Sequence, residues 1–484
     1  MQRAADSGAP ARKRAAFHNL GCKVNSYELD IMRQKMAEAG YETVPFEEEA
    51  DIYVINTCTV TNIADRKSRQ MIHRAKKKNP DALVIAVGCY VETDPGRTAA
   101  DSAVDLAIGN NNKARIAELL DDFLARAGER EDLSPGSRKT MGGRTMSDLT
   151  KAPEYEDMQL VSPGRTRVFI KIQDGCNQFC SYCIIPYARG RIRSRAPQEI
   201  LEEVRRLVRE GTSEIVLTGI HISSYGLEWD GGSGAPYDPV KAGRNLLALL
   251  RELSGIEGLA RIRLSSLEPR IMTEAFVSGI AKIPQICPHF HLSLQSGCGE
   301  TLRRMNRHYT PQEYLEGVKR LRRYFEKPAI TTDVITGFPG ETVKEFEETV
   351  RFLEEVDFYE IHVFRYSMRR GTVAEKLPGQ VPEAVKALRS DRLLEMTAEQ
   401  AARYRVQFAG RRQSVLIEEA VEADGKQYYR GHTARYVQVY LPREEAAAAG
   451  LAPAPGMLVA GVLAAPEGIP GDAMLMREPV RLPE

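Results

Sequence analysis

Hydrophobic and polar residues alternate along residues 15–110 in a pattern that predicts strands separated by helices. Three apolar runs each end in a cysteine: Ala15 to Cys22, Asp51 to Cys58 and Leu83 to Cys89. Helical patterns occupy the stretches between them, at Ser26 to Glu38 and Asp65 to Lys78. Strands that alternate with helices predict a parallel sheet.

The ends of the three apolar runs are the first candidate site. Ligands of a parallel sheet bind beyond the carboxyl ends of its strands, so Cys22, Cys58 and Cys89 are predicted to meet at one edge. The alternative is that each cysteine is a small buried hydrophobic residue at the end of a strand.

Residues 166–375 show the same alternation and predict six strand–helix units. Six such units suggest a partial (β/α)6 barrel, with its chemistry at the carboxyl ends of the strands. The strand candidates are Val168–Gln173, Glu214–Ile220, Arg261–Ser265, His289–Leu294, Ile330–Ile335 and Glu360–Tyr366.

A long helical stretch from Pro382 to Gln407 leads into short alternating runs within Arg412–Leu441, which predict a small C-terminal β-barrel. Residues 128–164 are polar and rich in turn residues, which indicates a linker or insertion. The predicted architecture is therefore α/β. It has a parallel-sheet domain at 15–127, the linker at 128–164, the partial barrel at 165–408 and the β-barrel at 409–480.

Composition narrows the class of protein. The 484 residues include 67 Lys and Arg against 66 Asp and Glu, and 43% are hydrophobic, which suits a globular protein of several domains. No run of about 18 apolar residues occurs, and the basic N-terminus lacks an apolar signal region, so we expect a cytoplasmic protein without a membrane span. The eight cysteines of a cytoplasmic chain should stay reduced, which favours metal binding or catalysis over disulfides.

The strongest chemical signal is the spacing C-x3-C-x2-C formed by Cys176, Cys180 and Cys183. It follows the first strand of the partial barrel, so we expect a loop at the catalytic face. A four-iron cluster needs four ligands, so three thiolates leave one iron open to a cofactor or substrate. Tyr182 stands before the third cysteine, where an aromatic ring could cover that cofactor. The alternative is zinc, but no second C-x2-C or histidine pair lies nearby in the sequence.

This loop resembles the signature of the radical S-adenosylmethionine (SAM) enzymes. The upstream domain with one cysteine per strand and the following β-barrel resemble the methylthiotransferases, which consist of a methylthiotransferase domain, a radical SAM barrel and a TRAM domain. The resemblance covers roughly residues 15–440. Within this family the chain most resembles the MtaB type. The segments that carry this resemblance are AFHNLGCKVNSYE, DIYVINTCTVTN, VGCY, VLTGIHISSYG, HLSLQSG and VITGFPGET.

The resemblance implies a tRNA methylthiotransferase that converts N(6)-threonylcarbamoyladenosine at position 37, beside the anticodon, to its 2-methylthio derivative. It implies two [4Fe-4S] clusters, one on Cys176, Cys180 and Cys183 that cleaves SAM to a radical, and an auxiliary one on Cys22, Cys58 and Cys89 that carries sulfur. Further SAM contacts are expected at Tyr182, Thr218, Gly219, Glu268, Ser293, Gln295, Ile335 and Gly337. The implied partners are the tRNA anticodon loop, a reducing electron donor and a sulfur source.

Two basic stretches are candidates for RNA contact. Arg189, Arg191, Arg193 and Arg195 recur at every second residue, so an extended segment would place all four on one face. Residues 66–78 contain seven Lys or Arg and no acid. The alternative in both cases is a solvated basic surface.

The remaining cysteines and most histidines have ordinary interpretations. Cys287 is predicted to be a core thiol, and Cys298, in a Gly-Cys-Gly turn, to be exposed. His221, His289, His291 and His362 lie in or beside predicted strands, where a core or rim residue is commoner than a metal ligand.

Two alternative functions remain open at this stage. A methylthiotransferase acting on an aspartate of a ribosomal protein would use the same chemistry. A non-catalytic iron–sulfur or zinc protein that binds RNA would form no 5′-deoxyadenosine from SAM.

Overall fold

The computed structural model describes residues 13–128, 143–146, 149, 154–162 and 166–482. The chain divides into two compact units. The first runs up to Leu160 and also includes Ile184–Arg191, and the second comprises Val161–Cys183 and the chain from Ile192 onward. Within the described residues, no helix combines the length and the apolar character needed to cross a bilayer.

The first unit is built on a parallel sheet, as predicted. Its six strands lie in the order β2-β1-β3-β4-β5-β6. They are β1 Arg14–Asn19, β2 Glu42–Val44, β3 Ile52–Thr57, β4 Leu83–Gly88, β5 Leu106–Ile108 and β6 Gly143–Thr145. The helices of this unit are Lys23–Glu38, Asn62–Lys78, Cys89–Thr93, Pro95–Ala100, Ile116–Gly128 and Ile185–Arg189.

The alternating side chains of this sheet supply two hydrophobic cores. One contains Val54 and Ile85 and the other contains Tyr53 and Ile55, so successive residues of β3 serve opposite faces. A strand that is buried on both faces consists mainly of apolar residues, so its sequence predicts a strand even without alternation of polar and apolar positions.

The segment predicted as a linker contains a strand. β6 pairs in parallel with β5, through Leu106 with Gly143 and Ile108 with Thr145, and so extends the sheet. The prediction of a linker or insertion over 128–164 did not include this strand at 143–145. The rest of that prediction falls partly on residues 129–142, 147–148, 150–153 and 163–165, which lie outside the described residues.

The second unit begins with a partial barrel. Parallel pairing joins β7, β9 and β10, and likewise β11, β12 and β13, while parallel bridges such as Leu267 with Leu292 connect the two groups. The short strand β8 pairs antiparallel with β7 and was not predicted. The strands are β7 Arg167–Asp174, β8 Arg193–Ser194, β9 Glu214–Gly219, β10 Arg261–Leu264, β11 His289–His291, β12 Ala329–Thr336 and β13 Glu360–Arg365.

Helices lie between these strands, and local sequence sets where several begin. Thr310 and Thr342 each form a capping box with the glutamate three residues later, Glu313 and Glu345. The helices of the second unit are Pro197–Arg209, Glu228–Gly231, Pro239–Ser254, Glu274–Ile280, Gly299–Arg304, Pro311–Tyr324, Val343–Val356, Glu383–Val406 and Arg443–Ala448.

The chain ends in a closed β-barrel with the strand order β14-β15-β16-β18-β17, which confirms the small C-terminal barrel. Arg261 and Arg263 of β10 both pair with Glu214 and reach carbonyl oxygens of this barrel, at Ser414 and Ala434. The strands are β14 Arg412–Ala423, β15 Lys426–Thr433, β16 Gln438–Pro442, β17 Leu458–Ala464 and β18 Met474–Arg481.

Candidate functional site

The loop after β7 carries Cys176, Cys180 and Cys183, and its sulfur atoms receive hydrogen bonds. The Gln178 amide donates to the Cys176 Sγ at 3.5 Å, and the Arg307 Nη1 donates to the Cys180 Sγ at 3.4 Å. Loss of solvent raises the pKa of the Cys176 thiol, and the thiols of Cys180 and Cys183 raise it further. The three sulfur groups are thus close enough to influence one another electrostatically.

The end of the helix Gly299–Arg304 and the residues that follow it hold this loop in place. The Ser181 amide donates to the Met305 carbonyl at 3.0 Å, and the Ser181 hydroxyl donates to the Arg304 carbonyl at 2.8 Å. The Asn306 amide side chain donates to the Phe179 carbonyl at 3.0 Å. A loop fixed through both backbone and side-chain groups presents its thiols in a preorganised arrangement.

Arg307 links the cysteine loop to the predicted SAM contacts. Its Nη2 lies 3.1 Å from Glu268 Oε2 and donates to the Ser293 carbonyl at 3.2 Å. Burial alone would raise the pKa of Glu268, but Arg307, His221 and Arg270 outweigh it and lower the pKa to about 2. The predicted residues Glu268 and Ser293 therefore share one buried cation with Cys180.

A second group of predicted residues forms an apolar wall. Tyr182 meets Phe338 edge-on, with ring centroids 6.3 Å apart, and Ile335 packs in the same cluster with Tyr366. Gln295 connects this wall to the neighbouring strand, because its carbonyl accepts from the Ile335 amide at 2.9 Å. Tyr182, Ile335 and Gln295 are thus brought together at the ends of β11 and β12.

Local structural roles account for three further predicted residues, Thr218, Gly219 and Gly337. Their contacts with SAM stay predictions. Thr218 is buried at the end of β9. A Cβ atom on Gly219 would lie 2.8 Å from the Gln173 carbonyl oxygen, so the strands require glycine there. Gly337 has φ +70°, and a Cβ atom would lie 2.3 Å from Lys386 Cγ.

Cys22, Cys58 and Cys89 lie together beyond the carboxyl ends of β1, β3 and β4. Cys22 precedes the helix Lys23–Glu38, and Cys89 begins the helix Cys89–Thr93. Burial raises the pKa of Cys58 to about 11, and the thiols of Cys89 and Cys22 act in the same direction. At Gly21, φ is +111° and a Cβ atom would lie 3.2 Å from the Cys58 Sγ, so only glycine permits this approach.

A buried polar network supports the second cysteine set. Arg189 Nη1 lies 2.8 Å from Glu28 Oε1, and Arg189 Nη2 donates to Asn25 Oδ1 at 2.7 Å. Lys113 Nζ pairs with the other Glu28 oxygen at 2.5 Å, and none of the three charged side chains is exposed. Loss of solvent raises the pKa of Cys22, and the Arg189 charge acts against that rise, so this cation favours a thiolate there.

The predicted row of four exposed arginines is wrong. Arg189 lies in the short helix Ile185–Arg189, so the segment is not extended, and the side chain is buried against Glu28. Arg193 is buried 3.6 Å from Asp174, and Arg195 is buried with Glu203 as its ion-pair partner. Arg191 alone of the four is exposed. Buried charges need partners, and here each buried arginine has one.

The two remaining cysteines belong to neither set. Cys287 is buried, as predicted. The expectation that Cys298 is exposed is wrong, because its side chain is buried and its Sγ lies 3.1 Å from Glu348 Oε2.

The residues of both sets fit iron–sulfur clusters. Each set supplies three thiols, and N–H groups point at their sulfurs, including the Asn110 side chain, which donates to the Cys89 Sγ at 3.5 Å. Hydrogen bonds to sulfur are among the groups that tune such clusters. Ionising several neighbouring thiols is unfavourable unless a cation compensates, and iron supplies that charge.

Comparisons with known proteins agree with this arrangement. Residues 170–353 match the family model described as "Radical SAM superfamily", and residues 14–109 match the one described as "Uncharacterized protein family UPF0004". The fold is similar to that of the radical SAM methyltransferase TsrM from Kitasatospora setae, with a TM-score of 0.50, 16% identity and 73% of each chain covered. Fold and site together define a radical SAM enzyme, which implies a [4Fe-4S] cluster and SAM.

Relatives narrow the family. The chain is 40% identical to the threonylcarbamoyladenosine tRNA methylthiotransferase MtaB of Bacillus subtilis, over 88% of this chain and 89% of that protein. It is 41% identical to the MtaB protein of Aquifex aeolicus, over 77% and 85% respectively. It is 35% identical to the tRNA-2-methylthio-N(6)-dimethylallyladenosine synthase of Moorella thermoacetica, over 86% and 90%. The chain belongs to the radical SAM methylthiotransferases.

Proposed function

We propose that this protein converts N(6)-threonylcarbamoyladenosine at position 37 of tRNA to its 2-methylthio derivative. The observation that carries the proposal is the pair of three-cysteine sets, one on the loop after β7 and one beyond the carboxyl ends of β1, β3 and β4. The chain that carries them is similar over most of its length to enzymes with this substrate in their name. One set would serve SAM cleavage and the other sulfur transfer. An electron carrier without such chemistry would need four protein ligands for each cluster.

The residues that would hold each group follow from the contacts described above. Cys176, Cys180 and Cys183 would hold one [4Fe-4S] cluster, and Cys22, Cys58 and Cys89 a second. With SAM, the clusters would supply the radical, sulfur-transfer and methyl-transfer chemistry that side chains lack.

Residues around the first set would orient and shield the bound cofactor. Arg307 places a buried positive charge beside Cys180, and Glu268 holds that guanidinium in position. The wall formed by Tyr182, Ile335 and Phe338 would exclude water from one side of SAM.

Arg307 offers a test of this assignment that does not depend on turnover. We expect Arg307→Met to lower the reduction potential of the cluster on Cys176, Cys180 and Cys183, because a buried cation beside a cluster favours the added electron. An anaerobic redox titration followed by electron paramagnetic resonance would measure the shift. Arg304→Met is the matched control, since Arg304 pairs with Glu345 and the cysteine sulfur that it interacts with is Cys298, which belongs to neither set. Equal potentials in wild type and Arg307→Met would refute the role given to Arg307.

The RNA would meet exposed basic residues of the first unit. On the helix Asn62–Lys78, Ser68, Ile72 and Ala75 face the core. Arg74 and Lys78 pair with Glu47, and Lys76 pairs with Asp105, so the helix is less uniformly basic than the sequence suggested. Arg66, Lys67 and Lys77 are exposed, and together with Arg191 they are the proposed phosphate contacts.

Salt dependence tests the phosphate contacts. We expect the triple variant Arg66→Gln, Lys67→Gln, Lys77→Gln to bind tRNA more weakly. The negative slope of log K against log salt should become shallower by about 1 for each cation–phosphate pair that is removed. The double variant Arg74→Gln, Lys78→Gln removes cations that already pair with Glu47 and should change the slope less. Fluorescence anisotropy with the anticodon stem-loop would give both slopes. The same slope in the triple variant and wild type would exclude this helix from the RNA interface.

Nucleoside mass spectrometry on tRNA from a strain that lacks the gene tests the proposed function. We expect the 2-methylthio derivative of threonylcarbamoyladenosine to disappear and its precursor to accumulate, with both restored by the wild-type gene. The relative from Moorella thermoacetica suggests a second candidate substrate, since its name specifies dimethylallyladenosine. Loss of 2-methylthio-dimethylallyladenosine would therefore support that substrate. If neither nucleoside changes, the tRNA assignment is wrong, and the ribosomal-protein aspartate becomes the substrate to examine.

The proposed reaction needs further partners. A reducing electron donor must supply the electron for SAM cleavage, and a sulfur source must replenish the atom that enters each product. These partners and the tRNA substrate are consistent with action in the cytoplasm.

A further inference from the structure

Three potential metal ligands stand on neighbouring strands of the partial barrel, outside both cysteine sets. They are His291 on β11, Asp333 on β12 and His362 on β13, and one ligand atom from each lies within 4.8 Å of the other two. His291 Nε2 is 3.2 Å from Asp333 Oδ2, and His362 Nδ1 is 3.4 Å from Asp333 Oδ1. Ligands bonded to zinc at about 2.1 Å in tetrahedral geometry lie about 3.4 Å apart. The two distances to Asp333 are therefore close to those within a coordination shell, and the 4.8 Å limit on all three ligand atoms leaves about 1.4 Å of closure for binding an ion.

Strand register places the three side chains on one face of the sheet. His291 pairs with Thr331, and Asp333 pairs with His362. Thr331, Asp333 and Ile335 alternate along β12 and so point to the same side, and Ile335 belongs to the apolar wall with Tyr182. The triad therefore lies about 7 Å along β12 from Ile335, on the side that carries the predicted SAM contacts.

Each histidine has its second ring nitrogen beside an acceptor. His291 Nδ1 is 3.0 Å from the Thr331 hydroxyl oxygen, and His362 Nε2 is 3.7 Å from Glu360 Oε1. A proton on each of these nitrogens leaves a lone pair on the nitrogen that faces Asp333. Metal-binding histidines are typically oriented by an acceptor for the nitrogen that does not bind the metal, and Thr331 is within hydrogen-bond distance to do this for His291.

Charge and exposure also suit a cation. Two carboxylates, Asp333 and Glu360, stand beside the two imidazoles, and a divalent ion would balance their negative charge. The His362 side chain is 47% exposed, so an ion would have access from solvent and room for a further ligand.

We propose that His291, Asp333 and His362 bind one divalent transition-metal ion of the zinc type, with a remaining coordination position open to an oxygen ligand. Nitrogen and oxygen ligands in a set of three resemble open zinc sites more than closed structural ones. The proposed ion is separate from the iron of the two cysteine sets and does not depend on the choice of tRNA substrate.

Zinc binding to the full-length, cluster-reconstituted protein tests the proposal. We expect equilibrium dialysis against buffered zinc to give one zinc per chain in addition to the cluster iron. His362→Gln should weaken that binding at least tenfold, and Thr331→Val should weaken it about 10- to 100-fold through loss of the hydroxyl that orients His291. Iron is counted in every sample, so a variant that fails to fold is recognised by its loss of iron. If His362→Gln fails in this way, the zinc affinity of Thr331→Val tests the proposal.

A matched control and a spectrum complete the test. His73→Gln removes an exposed histidine that forms a similar pair with Asp101, at 3.1 Å, and should leave zinc binding unchanged, because within the described residues this pair is not part of a group of three ligands. Zinc-edge X-ray absorption should show nitrogen and oxygen neighbours at about 2.0–2.1 Å. Absence of bound zinc, sulfur neighbours at about 2.3 Å, or equal affinity in wild type and Thr331→Val would overturn the proposal.

Discussion

Replacing Cys176, Cys180 and Cys183 together with Ala is expected to abolish methylthio transfer and to reduce the iron content from about eight to about four atoms per chain. The variant should retain the cluster on Cys22, Cys58 and Cys89, because those residues belong to a different compact unit. Without the loop thiols, SAM has no iron to bind, so formation of 5′-deoxyadenosine should stop as well. Iron and sulfide counts on anaerobically reconstituted protein, with chromatography of the SAM products, would measure both effects.

Cys287→Ala is the matched control for this experiment. Cys287 is a buried cysteine of the same unit that belongs to neither set. Its replacement should leave the iron count and the SAM products unchanged and cost about 1 kcal/mol of stability. A triple variant that keeps all of its iron, or still forms 5′-deoxyadenosine, would show that the loop is not the SAM-cleaving site.

Arg189→Ala is expected to destabilise the first unit by about 3 kcal/mol, near the lower limit for loss of one partner from a buried ion pair. The substitution removes one ion-pair partner of the buried Glu28 carboxylate, which keeps its contact with Lys113, and it removes the hydrogen bond to Asn25. We expect a destabilisation near the lower limit because Glu28 keeps its contact with Lys113. The midpoint of urea unfolding, followed by circular dichroism, would measure the loss.

Arg191→Ala separates this structural role from RNA binding. Arg191 is exposed two residues further along the chain, so its replacement should change stability by no more than about 0.5 kcal/mol. If Arg191 contacts the phosphates as proposed, the same variant should lower affinity for tRNA, whereas folded Arg189→Ala should bind tRNA normally. A stable Arg189→Ala variant with weakened tRNA binding would instead support the row of RNA-facing arginines.

The sequence predicted most of the architecture because buried parallel strands leave a strong signal. The strands β3 and β4 contain long apolar runs and β1 a shorter one at Ala15–Phe17, and the cysteines that follow these strands come together at the sheet edge. The six strands of the partial barrel were also predicted, to within a few residues at their ends. Hydrophobic periodicity reports burial on a regular element, and these elements are regular and buried.

Features that depend on tertiary partners were not predictable from the pattern. The spacing of Arg189, Arg193 and Arg195 suggested one exposed face, but their acidic partners Glu28, Asp174 and Glu203 lie at different places in the chain. A charged residue is normally exposed, so local sequence favours the surface unless the partner is known. The strand β6 was not predicted, because its three residues form no apolar run and only its pairing with β5 defines it.

Two other features were missed at the level of single residues. Arg307 lies in the stretch RMNRHYT, which has no recognisable motif, yet it contacts both Cys180 and Glu268. His291 and His362 are predicted as core or rim residues, although the predicted barrel already places β11 and β13 beside β12. The register of the strands brings both histidines to Asp333, and no short-range pattern encodes register.

The most direct measurement of the central claim is the fate of SAM and RNA in one anaerobic reaction. Reconstituted wild-type protein, a chemical reductant, a sulfide source, SAM and tRNA that contains threonylcarbamoyladenosine are incubated together. Mass spectrometry then follows the nucleosides and the SAM products. We expect the 2-methylthio nucleoside to form together with 5′-deoxyadenosine and S-adenosylhomocysteine, which report the radical and methyl-transfer uses of SAM. An unmodified nucleoside with no 5′-deoxyadenosine, from protein that holds its full iron, would contradict the account.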